Sequence, residues 1–202
     1  MRKISAILIF ILCAALEGTL ARADNLVANP GFETGDLTSW TISGVDSSPG
    51  DNGIYYGVDK SDAYSGSYGA YFGPVGGVLD LTQTLATTPG TTYTVSFWLA
   101  QVPATPAGYT NSFLLSFGGN TLFSQTDLAG SNYTGYSYTG VASSASTVLQ
   151  FAFRDDTGFF SLDDVSVSGT TAATPEPSSL WLTLTFAAAL GGYLLLVDRK
   201  IS

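Results

Sequence analysis

The sequence predicts an all-β domain made of two packed antiparallel sheets, and three observations lead there. Gly, Ser, Thr and Tyr dominate the middle of the chain, apolar residues come in short runs between turn residues, and no long 3.6-residue periodicity appears. In chain order, the first candidate strands are Ile54 to Val58 and Tyr68 to Phe72. Leu79 to Ala86 follows, with Leu79, Leu81, Gln83 and Leu85 on one face. Pro89-Gly90 then supplies a turn into Thr91 to Ala100, the clearest strand, where Tyr93, Val95, Phe97 and Leu99 oppose Thr94, Ser96 and Trp98. Pro103, Pro106 and Gly108 make Gln101 to Asn111 an irregular excursion. Ser112 to Gly118, Tyr133 to Thr139, Thr147 to Arg154 and Phe159 to Val167 complete the set, and strands this short and this closely spaced stack as two sheets.

The last strand does not fit simple alternation. Phe160, Leu162, Asp164 and Ser166 fall on one side, and Phe159, Ser161, Asp163, Val165 and Val167 on the other. Neither side is wholly apolar, so at least one carboxylate is expected to point at a compensating site.

Both chain ends read as addresses. Arg2 and Lys3 precede the apolar run Ile4 to Leu16, and Ala21-Arg22-Ala23 has cleavage-site spacing, so residues 1–23 are expected to be a secretory signal peptide and the mature chain to start at Asp24. At the other end an 18-residue apolar run, Leu180 to Val197, has membrane-spanning length. The basic tail 198–202, with Arg199 and Lys200, is expected to stay cytoplasmic and leave the folded part facing outward. Thr, Ala, Ser and Pro dominate from Ser168 to Ser179, which sets the domain at 24–169 and a linker at 170–179.

The linker ends in Pro175-Glu176-Pro177, followed by Ser178-Ser179, the apolar run and the basic residues. This order resembles the PEP-CTERM sorting signal of Gram-negative bacteria that make exopolysaccharide. The resemblance implies an exosortase as partner, export across the inner membrane, and a membrane-anchored precursor of a protein of the cell surface or extracellular matrix.

Composition narrows the function classes. Between Asp24 and Thr174 only Lys60 and Arg154 are basic, against thirteen acidic residues, a net charge of about −11 that repels phosphate backbones. Nucleic acid is therefore excluded as a partner, and neutral glycans or cations suit better. The one cysteine, Cys13, lies in the expected signal peptide, so the mature domain has no disulfide. With no histidine in the chain, serine-triad chemistry and the commonest zinc ligand are absent. Oxygen-ligated calcium stays open. Glycoside hydrolysis would need two carboxylates about 5 to 10 Å apart in a cleft, a pair that abundant Asp supplies by accident, and no enzyme is expected.

The mature chain opens Asn25-Leu26-Val27-Ala28-Asn29-Pro30-Gly31-Phe32-Glu33-Thr34-Gly35, reaches Trp40, and closes Leu162-Asp163-Asp164-Val165-Ser166-Val167. Gly66-Ser67-Tyr68-Gly69-Ala70-Tyr71, Leu81-Thr82-Gln83-Thr84-Leu85 and Tyr93-Thr94-Val95-Ser96-Phe97-Trp98 lie between them. Together these segments resemble the galactose-binding-like jelly rolls shared by several carbohydrate-binding module families, over essentially all of Asp24 to Gly169. The resemblance implies terminal strands lying close together and a structural Ca²⁺ between them. The matching positions are Glu33, Asp163 or Asp164, and carbonyls near Asn25 and Asn29. Two carboxylates without a basic partner repel, and a calcium ion would satisfy them. The alternative is that these acids cap turns or face solvent. Asp155-Asp156 with Gly158 is a second possible cation loop beside Arg154, or a hairpin turn. Asp46, Asp51, Asp59 and Asp62 lack fixed ligand spacing.

Sugar recognition needs aromatic platforms with amides or carboxylates beside them. Trp40, Tyr55, Tyr56, Trp98 and Tyr109 are the candidates, with Asn52, Gln101 and Asn111 as helpers, although aromatic residues in strands also fill cores. Trp98 stands opposite the core face of its strand, on the other sheet surface or under the Gln101 to Asn111 loop. The expected function is a non-catalytic exported protein that binds extracellular polysaccharide. The rival is a structural or protein-binding envelope domain on the same scaffold.

Overall fold

The computed structural model describes residues 24–44, 56–102, 110–156 and 158–169. The expected signal peptide, Tyr55, Tyr109, Asn52, Pro175, Glu176, Pro177 and the C-terminal apolar run lie outside the described residues.

Among the described residues ten strands form two five-stranded sheets. The first sheet holds β1 (Thr41–Gly44), β4 (Leu79–Ala86), β9 (Ser146–Asp155), β6 (Asn111–Phe117) and β7 (Asn120–Thr126) in that spatial order. The second holds β2 (Tyr56–Asp59), β3 (Gly69–Phe72), β10 (Phe159–Gly169), β5 (Thr92–Val102) and β8 (Ser131–Val141). Every pairing is antiparallel. The expected sandwich is therefore present, and all of it falls in one compact unit, Ala23–Thr170.

Inward positions of both sheets carry phenylalanine. Phe72 of β3 stacks on Phe153 of β9 with centroids 4.2 Å apart, and Phe97 of β5 meets Phe151 of β9 edge-on at 5.3 Å. These contacts join the two sheets, and each contributes about 0.5–1.5 kcal/mol beyond the burial itself. Tyr93, Val95, Phe97 and Leu99 all point into this core, as their spacing predicts.

Four expectations change. The strands β1 and β7 escape the sequence pattern: β1 is only four residues long, and β7 is mostly exposed beside a register shift at Leu115/Ser116 that breaks its alternation. Gln101 extends β5 and Asn111 starts β6, so the excursion between them is shorter than expected. Asp155 and Asp156 do not sit in a hairpin within one sheet, because β9 and β10 belong to different sheets and the chain crosses between them. Finally, Trp40 is a core residue, 8% exposed, packed on Phe32 and Phe151 with its indole N–H donating to the Asn29 carbonyl. A ring so covered cannot serve as a sugar platform.

Candidate functional site

The last strand resolves its mixed faces with a bulge. Asp163 pairs with Trp98 and Ser166 with Ser96, so β10 places two residues, Asp164 and Val165, opposite the single residue Phe97, one extra. Asp164 takes φ 49° there. The bulge flips the alternation, which lets Phe160, Leu162, Val165 and Val167 all enter the core while Ser161 and Asp163 face the outer side of the second sheet.

Asp163 is nevertheless fully buried, because the segment from Lys60 to Tyr68 folds over it. Its Oδ2 accepts the Tyr64 N–H at 2.8 Å and the Ser65 N–H at 3.1 Å, and its Oδ1 accepts the Asp164 N–H at 2.7 Å. Burial lifts the Asp163 carboxyl above the usual carboxylate range, and the three N–H donors pull it back only in part. Glu33 holds the far end of the same loop, accepting from Ser67 N–H at 2.9 Å and Tyr68 N–H at 3.1 Å. The Ser65 hydroxyl donates to Asp164 at 3.0 Å, the Ser161 hydroxyl to Asp62 Oδ1 at 2.6 Å, and the Tyr133 hydroxyl to the Asp62 carbonyl at 2.5 Å. Desolvation, followed by the charges of Asp163 and Asp62, raises the Tyr133 phenol and keeps it a donor.

This anchoring presents an aromatic surface. Tyr64 stacks on Trp98 with centroids 3.9 Å apart and an interplanar angle of 17°, and Tyr133 leans on Tyr64 at 5.3 Å. Trp98 lies over Gly135, where an added Cβ would come within 3.3 Å of the indole. Tyr64 remains 42% exposed, so its outer ring face is open to solvent. The opposite sheet differs: Thr82, Thr84, Ser112 and Gln150 face outward on β4, β6 and β9, with no outward aromatic ring among their described residues.

Of the expected sugar platforms among the described residues, Trp98 alone joins this cluster. Tyr56 is half-buried against the core. Gln101 and Asn111 are buried, the first donating to Asp155 and the second pinning Leu128. Sequence reasoning missed Tyr64, Tyr133 and Ser161 as site residues, and weighed Asp62 only as one of four acids without fixed ligand spacing. Tyr64 sits in a turn-like stretch with no alternation to mark it, and its partners are remote in sequence.

The expected metal residues do converge on one junction, where the N-terminal segment meets β10. Asn25 pairs with β10 through its side-chain amide, donating to the Val165 carbonyl at 3.0 Å and accepting from Val167 N–H at 2.9 Å. The Leu26 N–H bonds to the Val167 carbonyl and the Val165 N–H to the Pro30 carbonyl, which brings the first described segment of the domain against its last strand, the closeness the resemblance implied. The Asn29 carbonyl accepts from the Trp40 indole N–H, and Asp163 accepts from three N–H donors, which leaves each with further lone pairs. Glu33, exposed, and Asp164, half-buried, flank Gly31 and supply the hard oxygen donors calcium prefers. Among the described residues no group of three or more His, Cys, Asp or Glu gathers as a metal centre, so an ion here would draw further ligands from backbone carbonyls. At the other acidic cluster, Asp156 is paired with Arg154 at 2.9 Å, which holds its carboxyl below the usual range, and Asp155 is buried, accepting from Gly158 N–H.

The fold has solved relatives at low identity. A carbohydrate-binding module, TmCBM61, in complex with β-1,4-galactotriose shares 18% identity over 73% of this chain and 99% of its own, with a TM-score of 0.52. The CBM22-1–GH10 modules of Clostridium thermocellum xylanase 10B, complexed with xylohexaose, give 18% identity and a TM-score of 0.53, covering 75% of this chain but 30% of that one. The K1 cleaved adhesin domain of Lys-gingipain from Porphyromonas gingivalis gives 16% identity over 70% of this chain and 96% of that one, with a TM-score of 0.51. No curated protein sequence matches the chain. The family profile for CBM_4_9, described as a carbohydrate binding domain, matches residues 24–158, and the chain belongs to that family.

Proposed function

We propose that this domain is a non-catalytic module that binds neutral extracellular polysaccharide through the outer ring face of Tyr64. Beyond family membership, the observation that carries the reading is the Tyr64–Trp98 stack, an exposed ring on a loop anchored from β8, β10 and the N-terminal segment. A platform held rigid before the ligand arrives loses little entropy on binding. The surrounding charge sets the sugar class: Asp59, Asp62, Asp164 and Glu33 edge the loop, with Lys60 drawn over the Tyr68 ring at 5.6 Å. Uronate-rich chains are repelled there, whereas neutral hexose or pentose chains are not.

In the same proposal the protein is exported by the signal peptide 1–23, sorted by an exosortase that reads Pro175, Glu176 and Pro177, and passes through a precursor held in the membrane by 180–197. Calcium at the Glu33 and Asp164 junction would stiffen the base of the loop. Affinity electrophoresis of residues 24–170 through gels containing neutral xylan, galactan or glucan tests the glycan reading against a uronate polymer. Retardation by a neutral polymer that Tyr64→Ala abolishes supports it. Migration unaffected by every neutral polymer removes it in favour of a structural or protein-binding role.

A further inference from the structure

Within the loop from Lys60 to Tyr68, Asp62 is held from three strands at once. On β3, Gly69 clears space for it, since an added Cβ there would fall 1.7 Å from the Asp62 carbonyl. On β10, the Ser161 hydroxyl donates to Asp62 Oδ1 at 2.6 Å, and Ser161 is itself buried. On β8, the Tyr133 hydroxyl donates to the Asp62 carbonyl. The backbone of Asp62 and one of its carboxylate oxygens are therefore fixed before any ligand arrives.

The second carboxylate oxygen is unclaimed. Among the described residues Oδ2 meets only the Ser61 hydroxyl, at 3.5 Å, beyond the usual reach of an O–H···O bond, and that hydroxyl already donates to Asp59 Oδ1 at 2.7 Å. The two basic residues between Asp24 and Thr174 are engaged elsewhere, Lys60 over the Tyr68 ring at 5.6 Å and Arg154 on Asp156. Nor do the loop contacts call for charge. A neutral oxygen would accept the Ser161 hydroxyl, and Tyr133 bonds to the backbone.

Position gives the charge a use. Asp62 stands two residues before Tyr64, and Tyr133 joins the two, its hydroxyl on the Asp62 carbonyl and its ring 5.3 Å from the Tyr64 ring. A carboxylate beside an exposed ring can accept from hydroxyls on the edge of a sugar stacked there, in charge-assisted bonds about twice as strong as neutral ones. We propose that Asp62 is the specificity-determining residue of the Tyr64 site, its Oδ2 accepting from a free sugar hydroxyl, so that the domain takes neutral chains with unsubstituted hydroxyls and rejects the same chains when O-acetylated. The proposal rests on the glycan reading above. An ionised carboxylate only accepts, and an ester in place of the hydroxyl brings oxygens without a proton, leaving Oδ2 facing like partial charge. Sites built to bond a hydroxyl reject analogues lacking it strongly, and the half-exposure of Asp62 lowers that discrimination to about tenfold.

The test uses residues 24–170, the compact unit that holds every described strand. Calorimetric titration with soluble xylan, galactan and glucan, each de-acetylated and chemically O-acetylated, should show wild type binding a de-acetylated polymer about tenfold more tightly than its acetylated form. Asp62→Asn keeps an amide oxygen for Ser161 and the backbone carbonyl for Tyr133, so its tryptophan emission should match wild type. It should nevertheless lose about tenfold toward the de-acetylated polymer and bind both forms alike. An Asp62→Asn domain that keeps wild-type affinity, or still discriminates, overturns the proposal. Ser161→Ala gives a second reading, because it frees the carboxylate to rotate without removing it: affinity for the de-acetylated polymer should fall about threefold, and wild-type affinity contradicts a fixed Oδ2. If no de-acetylated polymer binds wild type, the glycan reading itself falls, whereas binding indifferent to Asp62 and to acetylation removes this inference alone.

Discussion

Replacing Asp163 tests whether the loop bearing Tyr64 is held in place by a buried carboxylate. Three N–H groups converge on it, two from the loop and one from the bulge. Asp163→Ala leaves all three without their partner. Tyr64 and Ser65 are exposed, so water recovers part of two bonds, at about 1 kcal/mol each, while the Asp164 N–H loses about 1–2 kcal/mol. The sum is about 3 kcal/mol, or about 6–12 °C in Tm for a domain of this size. Asp163→Asn keeps one acceptor oxygen and turns an NH₂ toward the remaining donors, costing about 1–2 kcal/mol. Urea unfolding of residues 24–170, followed by tryptophan fluorescence, measures both. Because Trp40 is buried in the core, a red shift of the native emission reports Trp98 losing Tyr64. The two variants also separate by pH. The folded carboxyl sits above its unfolded value, so the native state keeps a proton that the unfolded chain has already released. The stability Asp163 contributes is therefore complete below the unfolded carboxylate value of about 3.9 and declines as pH rises through the folded value. Wild type should exceed Asp163→Asn by more at pH 3 than at pH 7. An Asp163→Ala domain within about 0.5 kcal/mol of wild type, with unshifted emission, would refute the account of the loop.

The remaining predictions are simpler. At Gly69 an added Cβ would fall 1.7 Å from the Asp62 carbonyl, so Gly69→Ala should lift the loop, cost about 2–3 kcal/mol in urea unfolding, and free the Tyr133 hydroxyl. Phe153→Ala removes the ring stacked on Phe72 and should cost about 3–5 kcal/mol, with a midpoint shift at unchanged denaturant slope. Millimolar calcium should raise the Tm of the wild-type domain and leave Glu33→Gln/Asp164→Asn unmoved; equal Tm with calcium and with chelator in the wild type would remove the ion from the proposal.

Much of the fold is legible because alternation and burial are the same fact in a sandwich. Leu79 to Ala86 and Thr91 to Ala100 announce both their strands and their inward faces, and those residues do fill the core. Trp40 misled because a large ring near the chain start resembles a platform, whereas its indole N–H finds a partner only in the fold, at the Asn29 carbonyl. The last strand was legible as a contradiction: its two mixed faces signalled a carboxylate needing compensation, and the bulge at Asp164 supplies it. What escaped is the site itself. Tyr64 gains its meaning from Asp163, Glu33 and Trp98, partners about 30 to 100 positions away, and no local pattern encodes that meeting.

Calorimetric titration of residues 24–170 with neutral and uronate oligosaccharides, wild type against Tyr64→Ala, tests the central claim most directly. A neutral oligosaccharide should bind the wild type and lose about 2 kcal/mol, roughly a 30-fold weakening, in the variant, with no heat from the uronate. Equal affinity in both proteins would place the sugar elsewhere on the domain and contradict the role given to Tyr64.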